Sequence, residues 1–104
     1  MAKQILLVLS DPVAGREDEY NDWYNNQHLH DVCNAPGFLS ARRFKILDGD
    51  AGHRYLAIYE MESDNPKADF ARLGELGAAG KMPLTDALDV ENVKTLLFEQ
   101  IASS

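Results

Sequence analysis

Arg54-Tyr55-Leu56-Ala57-Ile58-Tyr59-Glu60-Met61 is the stretch whose reading decides the fold. Leu56 and Ile58 alternate with Tyr55, Ala57, Tyr59 and Met61, so both series are apolar and a strand here is covered on both faces. Just upstream, Phe38 to Leu47 reads as another strand. The turn formers Asp48-Gly49-Asp50-Ala51-Gly52 lie between them, giving a hairpin. Further upstream, Glu17, Asp18 and Glu19 cluster where carboxylates complement the positive end of a helix dipole. Tyr20, Trp23, Tyr24 and Gln27 follow at helical spacing, and this helix is expected to end between His28 and Cys33, before Pro36-Gly37. At the start of the chain, Lys3 to Leu9 contains five consecutive apolar residues ahead of Ser10-Asp11-Pro12, which predicts a strand buried on both sides. Downstream, Asn65 is a good N-cap and Pro66 suits the first helical position. Phe70, Leu73 and Leu76 or Gly77 form this helix's apolar stripe. Its glycines Gly74, Gly77 and Gly80 weaken it and are expected to let it approach the sheet closely. Met82 to Asp89 reads as an irregular connection with a single turn after Pro83, and Val93 to Ile101 as the last strand. The order is β-α-β-β-α-β, an α+β, ferredoxin-like split sheet with two helices on one face. Two helices cover one face only, so the apolar residues of the first and third strands predict a second copy of the chain on the other, a homodimer.

The 104 residues suffice for one domain, spanning 1–104, and the 45% apolar content can build a core without metal or disulfide. A formal charge of −7 opposes phosphate backbones and anionic membranes, so nucleic acid and membrane are not expected partners. No run reaches the ~20 apolar residues of a membrane span. The N-terminus lacks a signal-peptide pattern, and the single cysteine, Cys33, fits a reducing compartment, so a cytoplasmic location is expected.

The polar-aromatic run Asn21-Asp22-Trp23-Tyr24-Asn25-Asn26 through His28, followed by Ala35-Pro36-Gly37-Phe38 and Ala41-Arg42-Arg43-Phe44, resembles the EthD family of dimeric α+β barrel proteins. Tyr55 to Glu60 matches the same pattern. One departure is His30, where that family often carries a proline. The resemblance implies a dimeric α+β barrel with a ligand cavity between helices and sheet, and it identifies His28 as the motif histidine and Arg43 as the motif arginine. Similar proteins include dehydratases, cyclases and decarboxylases of aromatic or polyketide metabolism, and many members with no assigned activity.

An imidazole such as that of His28 exchanges protons near neutral pH, which suits cofactor-free acid-base chemistry; it can equally close a helix end by a hydrogen bond. Tyr59 shares a strand face with Tyr55, and its phenol can polarise a carbonyl or reach solvent at the sheet rim. Arg42 and Arg43 are adjacent on a strand and point to opposite faces. Arg43 would hold an enolate oxygen or form an ion pair with Glu60 or Asp31. Trp23, Tyr24 and Phe44 would shape a substrate pocket, although aromatics on a helix's inner face, such as Trp23 and Tyr24, commonly serve as core, and the same residues can do both. His28 and His30 are two apart, which on a helix separates them by about 200°, so no metal site is expected. His53 in the hairpin turn is expected to be exposed. No cofactor motif is present; the resemblance makes haem the runner-up cofactor, because some related barrels hold it with a histidine. Together these readings predict a cofactor-independent lyase, isomerase or cyclase acting on a small apolar, enolisable compound. The competing reading is a non-catalytic small-molecule-binding or accessory protein.

Overall fold

The computed structural model describes residues 2–104. The elements are β1 (Lys3–Ser10), α1 (Glu17–Trp23), a π-helical turn (Tyr24–His28), α2 (Leu29–Cys33), β2 (Phe38–Lys45), β3 (Tyr55–Glu62), α3 (Pro66–Ala78) and β4 (Lys94–Glu99). The strands form one antiparallel sheet in the order β2-β3-β1-β4. This is the α+β, ferredoxin-like arrangement that the strand and helix order predicts.

Cross-strand register fixes which residues share a face. Leu6 pairs with Tyr59 and Val8 with Ala57, while Tyr59 also pairs with Ala41 and Ala57 with Arg43. These residues face the helices, and Leu6, Ala57, Tyr59 and Met61 are buried there. Each large apolar side chain fully withdrawn from water in this way contributes roughly 1.5–3 kcal/mol. The opposite face carries Ile5, Leu7 and Leu9 of β1, Leu56 and Ile58 of β3, and Phe44 and Phe98 at the flanks, the last two 46% and 49% exposed.

The motif glycine Gly37 has a structural reason. Its φ is +91°, and a Cβ there would overlap the Asp69 carboxylate, which accepts from Ser63 Oγ at 2.5 Å. Helix α3 begins as expected, with Asn65 Oδ1 accepting from Ala68 N at 3.2 Å and Pro66 in the first turn.

Three sequence expectations are corrected. Gln27 does not share the buried face of the first helix; it is exposed, because the π turn rotates it outward and brings His28 inward. Helix α3 does not approach the sheet closely: none of its residues is buried, and a Cβ on Gly74 or Gly77 meets no described atom within 4 Å. His53 is held inside the hairpin, 13% exposed, its Nδ1 2.9 Å from Asp11 Oδ2. The turn expected after Pro83 forms at Thr85–Leu88, where Leu88 N donates to the Thr85 carbonyl, and a 3-10 turn at Val90–Asn92 follows it.

Candidate functional site

An apolar cavity of about 380 Å³ lies between α3 and the sheet. Its floor is Leu6, Val8 and Ser10 of β1 with Tyr59 of β3. Trp23, Tyr24 and His28 form one wall, and the stripe from Phe70 to Ala78 on α3 forms another. The connection after α3 closes part of the rim with Met82, Leu84 and Leu88. That connection is tied down by Trp23 Nε1 donating to the Pro83 carbonyl at 2.9 Å and by Arg16 bound to Asp86 at 2.7 Å.

The π turn builds the aromatic wall. Residues five apart on an α-helix lie about 140° from each other, so Trp23 and His28 would diverge. Hydrogen bonding to the fifth residue widens the turn. The Trp23 and His28 rings stack with centroids 4.4 Å apart, and Tyr24 meets His28 edge-on at 5.2 Å.

Two polar atoms in this wall and floor have no hydrogen-bond partner among the described residues although both are buried: His28 Nδ1 and Tyr59 Oη. Leaving such a group unpaired costs about 1–3 kcal/mol, so unpaired buried groups are uncommon in folded chains. Burial pulls the His28 imidazole down to about 4, against a weaker opposing pull from the Asp31 carboxylate. Burial, reinforced by Tyr24, raises the Tyr59 phenol well above its ordinary value. At neutral pH the site therefore presents a free base and a neutral phenol.

The His28 shift has a consequence for stability. An unfolded imidazole titrates near ~6.5, so between that pH and about 4 the unfolded chain binds a proton that the folded chain refuses. Stability is full above the unfolded pKa and is lost as pH falls. The expected loss between pH 7 and pH 5 is about 2 kcal/mol. Urea unfolding at the two pH values measures it, and His28→Gln should remove most of the difference. A wild type equally stable at both would contradict a buried neutral imidazole.

Of the six residues expected from sequence, His28, Tyr59, Trp23 and Tyr24 line the cavity together. Arg43 does not line it. Its guanidinium lies over the Tyr24 ring at 4.2 Å and donates to Asn25 Oδ1 at 2.7 Å, so it braces the aromatic wall from behind. The ion pair with Glu60 is made by its neighbour Arg42, at 3.2 Å on the opposite face. Phe44 is also on that face, away from the cavity, because its neighbour Arg43 takes the inward position. Ser10, whose Oγ lies 2.6 Å from the Tyr20 hydroxyl, also lines the cavity, as do Gly74 and Gly77 of α3, which the sequence suggested only as aids to close packing. The glycines' position on the apolar stripe was the available signal.

The family described as domain of unknown function (DUF4286) matches residues 13–72. Core atranone cluster (CAC) protein 1 of Stachybotrys chlorohalonatus is 33% identical over 67 residues, which make up 64% of this chain and 26% of that protein. The chain thus spans about a quarter of the length of the curated relative it matches. Among solved structures, the heme-degrader MhuD of Mycobacterium tuberculosis, with two hemes bound in its active site, superposes with a TM-score of 0.71 at 21% identity over 97% of this chain and 98% of that one. An EthD family protein of Bacillus halodurans gives 0.66 at 15% identity over 97% and 100%. SnoaB of Streptomyces nogalater, a cofactor-independent oxygenase, gives 0.56 at 14% over 97% and 95%. At these identities the likeness is one of fold, that of the dimeric α+β barrels.

Proposed function

The chain belongs to the DUF4286 family and has the fold of the dimeric α+β barrels, and from that premise we propose that its cavity binds a small, largely apolar, enolisable compound and moves a proton on it without a cofactor. The observation that carries this reading is the pair of buried, unpartnered polar atoms, His28 Nδ1 and Tyr59 Oη, on residues that line one apolar cavity. His28 is the base. It takes the proton from the carbon next to a substrate carbonyl, and the Tyr59 phenol donates a hydrogen bond to the oxygen on which the enolate charge develops. The imidazolium is held by the enolate itself and by the Asp31 carboxylate, the charge that already favours it. It then returns the proton to another atom of the substrate, giving isomerisation, or to a leaving group, giving elimination. Arg43 supports the site by holding Tyr24 in place, and Trp23 and Tyr24 bind the apolar body of the substrate. The motif pattern and the shape of the Bacillus halodurans protein support an EthD-like kinship.

Deuterium exchange tests the step common to these outcomes. In D₂O at neutral pH the protein should exchange the α-protons of 2-tetralone, an enolisable two-ring ketone, well above the rate in buffer with equimolar imidazole; the readout is ¹H NMR. Exchange no faster than that control, with 2-tetralone bound in the cavity, would leave the non-catalytic binding reading in its place.

The homodimer belongs to the same proposal. The outward face of the sheet, with Ile5, Leu7, Leu56, Ile58 and Phe98, is apolar across three strands. A second copy of that face is its best complement. Light scattering at micromolar concentration should give about twice the 11.6 kDa chain mass. A stable, soluble monomer would contradict this arrangement.

A further inference from the structure

Helix α3 turns one stripe to the cavity: Phe70, Leu73, Gly74, Gly77 and Ala78, the spacing of a single helical face. Two of these five positions are glycine. A glycine inside a helix is usually explained by a positive φ or by a close neighbour. Neither applies to Gly74 or Gly77. Neither is among the positive-φ glycines, and a Cβ built on either meets no described atom within 4 Å. Both weaken the helix relative to alanine. The space they leave opens into the same cavity as Tyr59, which is 1% exposed and has an unpartnered hydroxyl.

We propose that Gly74 and Gly77 are specificity-determining residues, whose missing side chains keep the cavity wide enough for a ligand of two to three fused rings anchored at Tyr59 and His28. This rests on the cavity being the ligand site. The size follows from volume. A dry cavity of ~150 Å³ accepts one benzene ring, and this cavity holds about 380 Å³. The ring character follows from Trp23, Tyr24, Tyr59 and Phe70, whose faces and edges suit aromatic contacts. The α3 stripe grades from Phe70 and Leu73 to the small residues, so the added rings extend toward the C-terminal half of α3.

Trp23 is the single tryptophan and lines the cavity, so quenching of its fluorescence reports binding. The probes are phenol, 2-naphthol and 2-hydroxyanthracene, which share a hydroxyl and differ in ring number. Wild type should bind 2-hydroxyanthracene at least about tenfold more tightly than phenol. Gly74→Leu and Gly77→Leu should each weaken the three-ring probe by about tenfold or more while leaving phenol within about twofold. Gly74→Ala and Gly77→Ala, which add one methyl each, should raise the melting temperature by a few degrees. If the Leu variants bind 2-hydroxyanthracene as wild type does, or if the Ala variants melt lower, the glycines are not kept for ligand space and the inference is overturned while the cavity reading stands. If no probe quenches Trp23 in wild type, the cavity reading itself falls and this inference with it.

Discussion

Replacing His28 by Gln should lower the exchange of 2-tetralone α-protons by about 10²–10⁴-fold, the usual worth of a positioned acid-base group. Glutamine keeps a polar, hydrogen-bonding side chain of similar reach, yet its amide cannot hold a proton near neutral pH. The substitution therefore separates proton transfer from packing. Binding of 2-tetralone, read from Trp23 quenching, should change far less than turnover, because the apolar wall remains. The comparison is sharpened by His28 sitting flat against Trp23, where an amide can still pack. If exchange persists at the wild-type rate in His28→Gln, the imidazole is structural and the base lies elsewhere.

Tyr59→Phe should move stability and activity in opposite directions. The hydroxyl is buried and has no partner among the described residues, so it costs the folded state about 1–3 kcal/mol of lost hydration without a bond in return. Deleting it should raise unfolding free energy by about 1 kcal/mol, seen in a urea melt or as a higher melting temperature. Exchange should fall by about 10²–10³-fold, the cost of removing one preorganised donor to a developing oxyanion. A group that destabilises the fold and serves the reaction is the expected signature of a site shaped for a ligand. Loss of both stability and exchange would show instead that the phenol is a structural donor.

The fold was legible because it is written in strand alternation and turn chemistry. Tyr55 to Met61, the turn residues 48–52, and Asn65-Pro66 each appear in the structure in the roles their types imply. The cavity was only half legible. His28, Trp23, Tyr24 and Tyr59 were found from a motif and a strand parity, but their convergence depends on the π turn. Spacing arguments assume 3.6 residues per turn, and under that assumption Gln27 follows Tyr24 inward and Trp23 turns away from His28. Nothing in Tyr24 to His28 announces hydrogen bonds to the fifth residue. Arg43 and Phe44 mark a second limit. Adjacent strand residues face opposite ways, and the arginine took the inner face only to be absorbed by Tyr24 and Asn25. The glycines of α3 were read as a means of close packing, since small residues usually serve that end. Here the helix stands away from the sheet and they widen the gap.

The state of the His28 imidazole is the central quantity, because a neutral, buried base in the cavity underlies both the stability and the catalytic expectations. The ¹³Cε1 resonance of His28, assigned through His28→Gln and followed by NMR across the acid-to-neutral range, reads it directly. The expected titration midpoint is near 4 in the free protein, with an upward displacement when 2-naphthol fills the cavity and lends the imidazolium a hydrogen-bonded oxygen partner. A midpoint near the unperturbed ~6.5, unmoved by 2-naphthol, would mean a solvated imidazole with no part in the site.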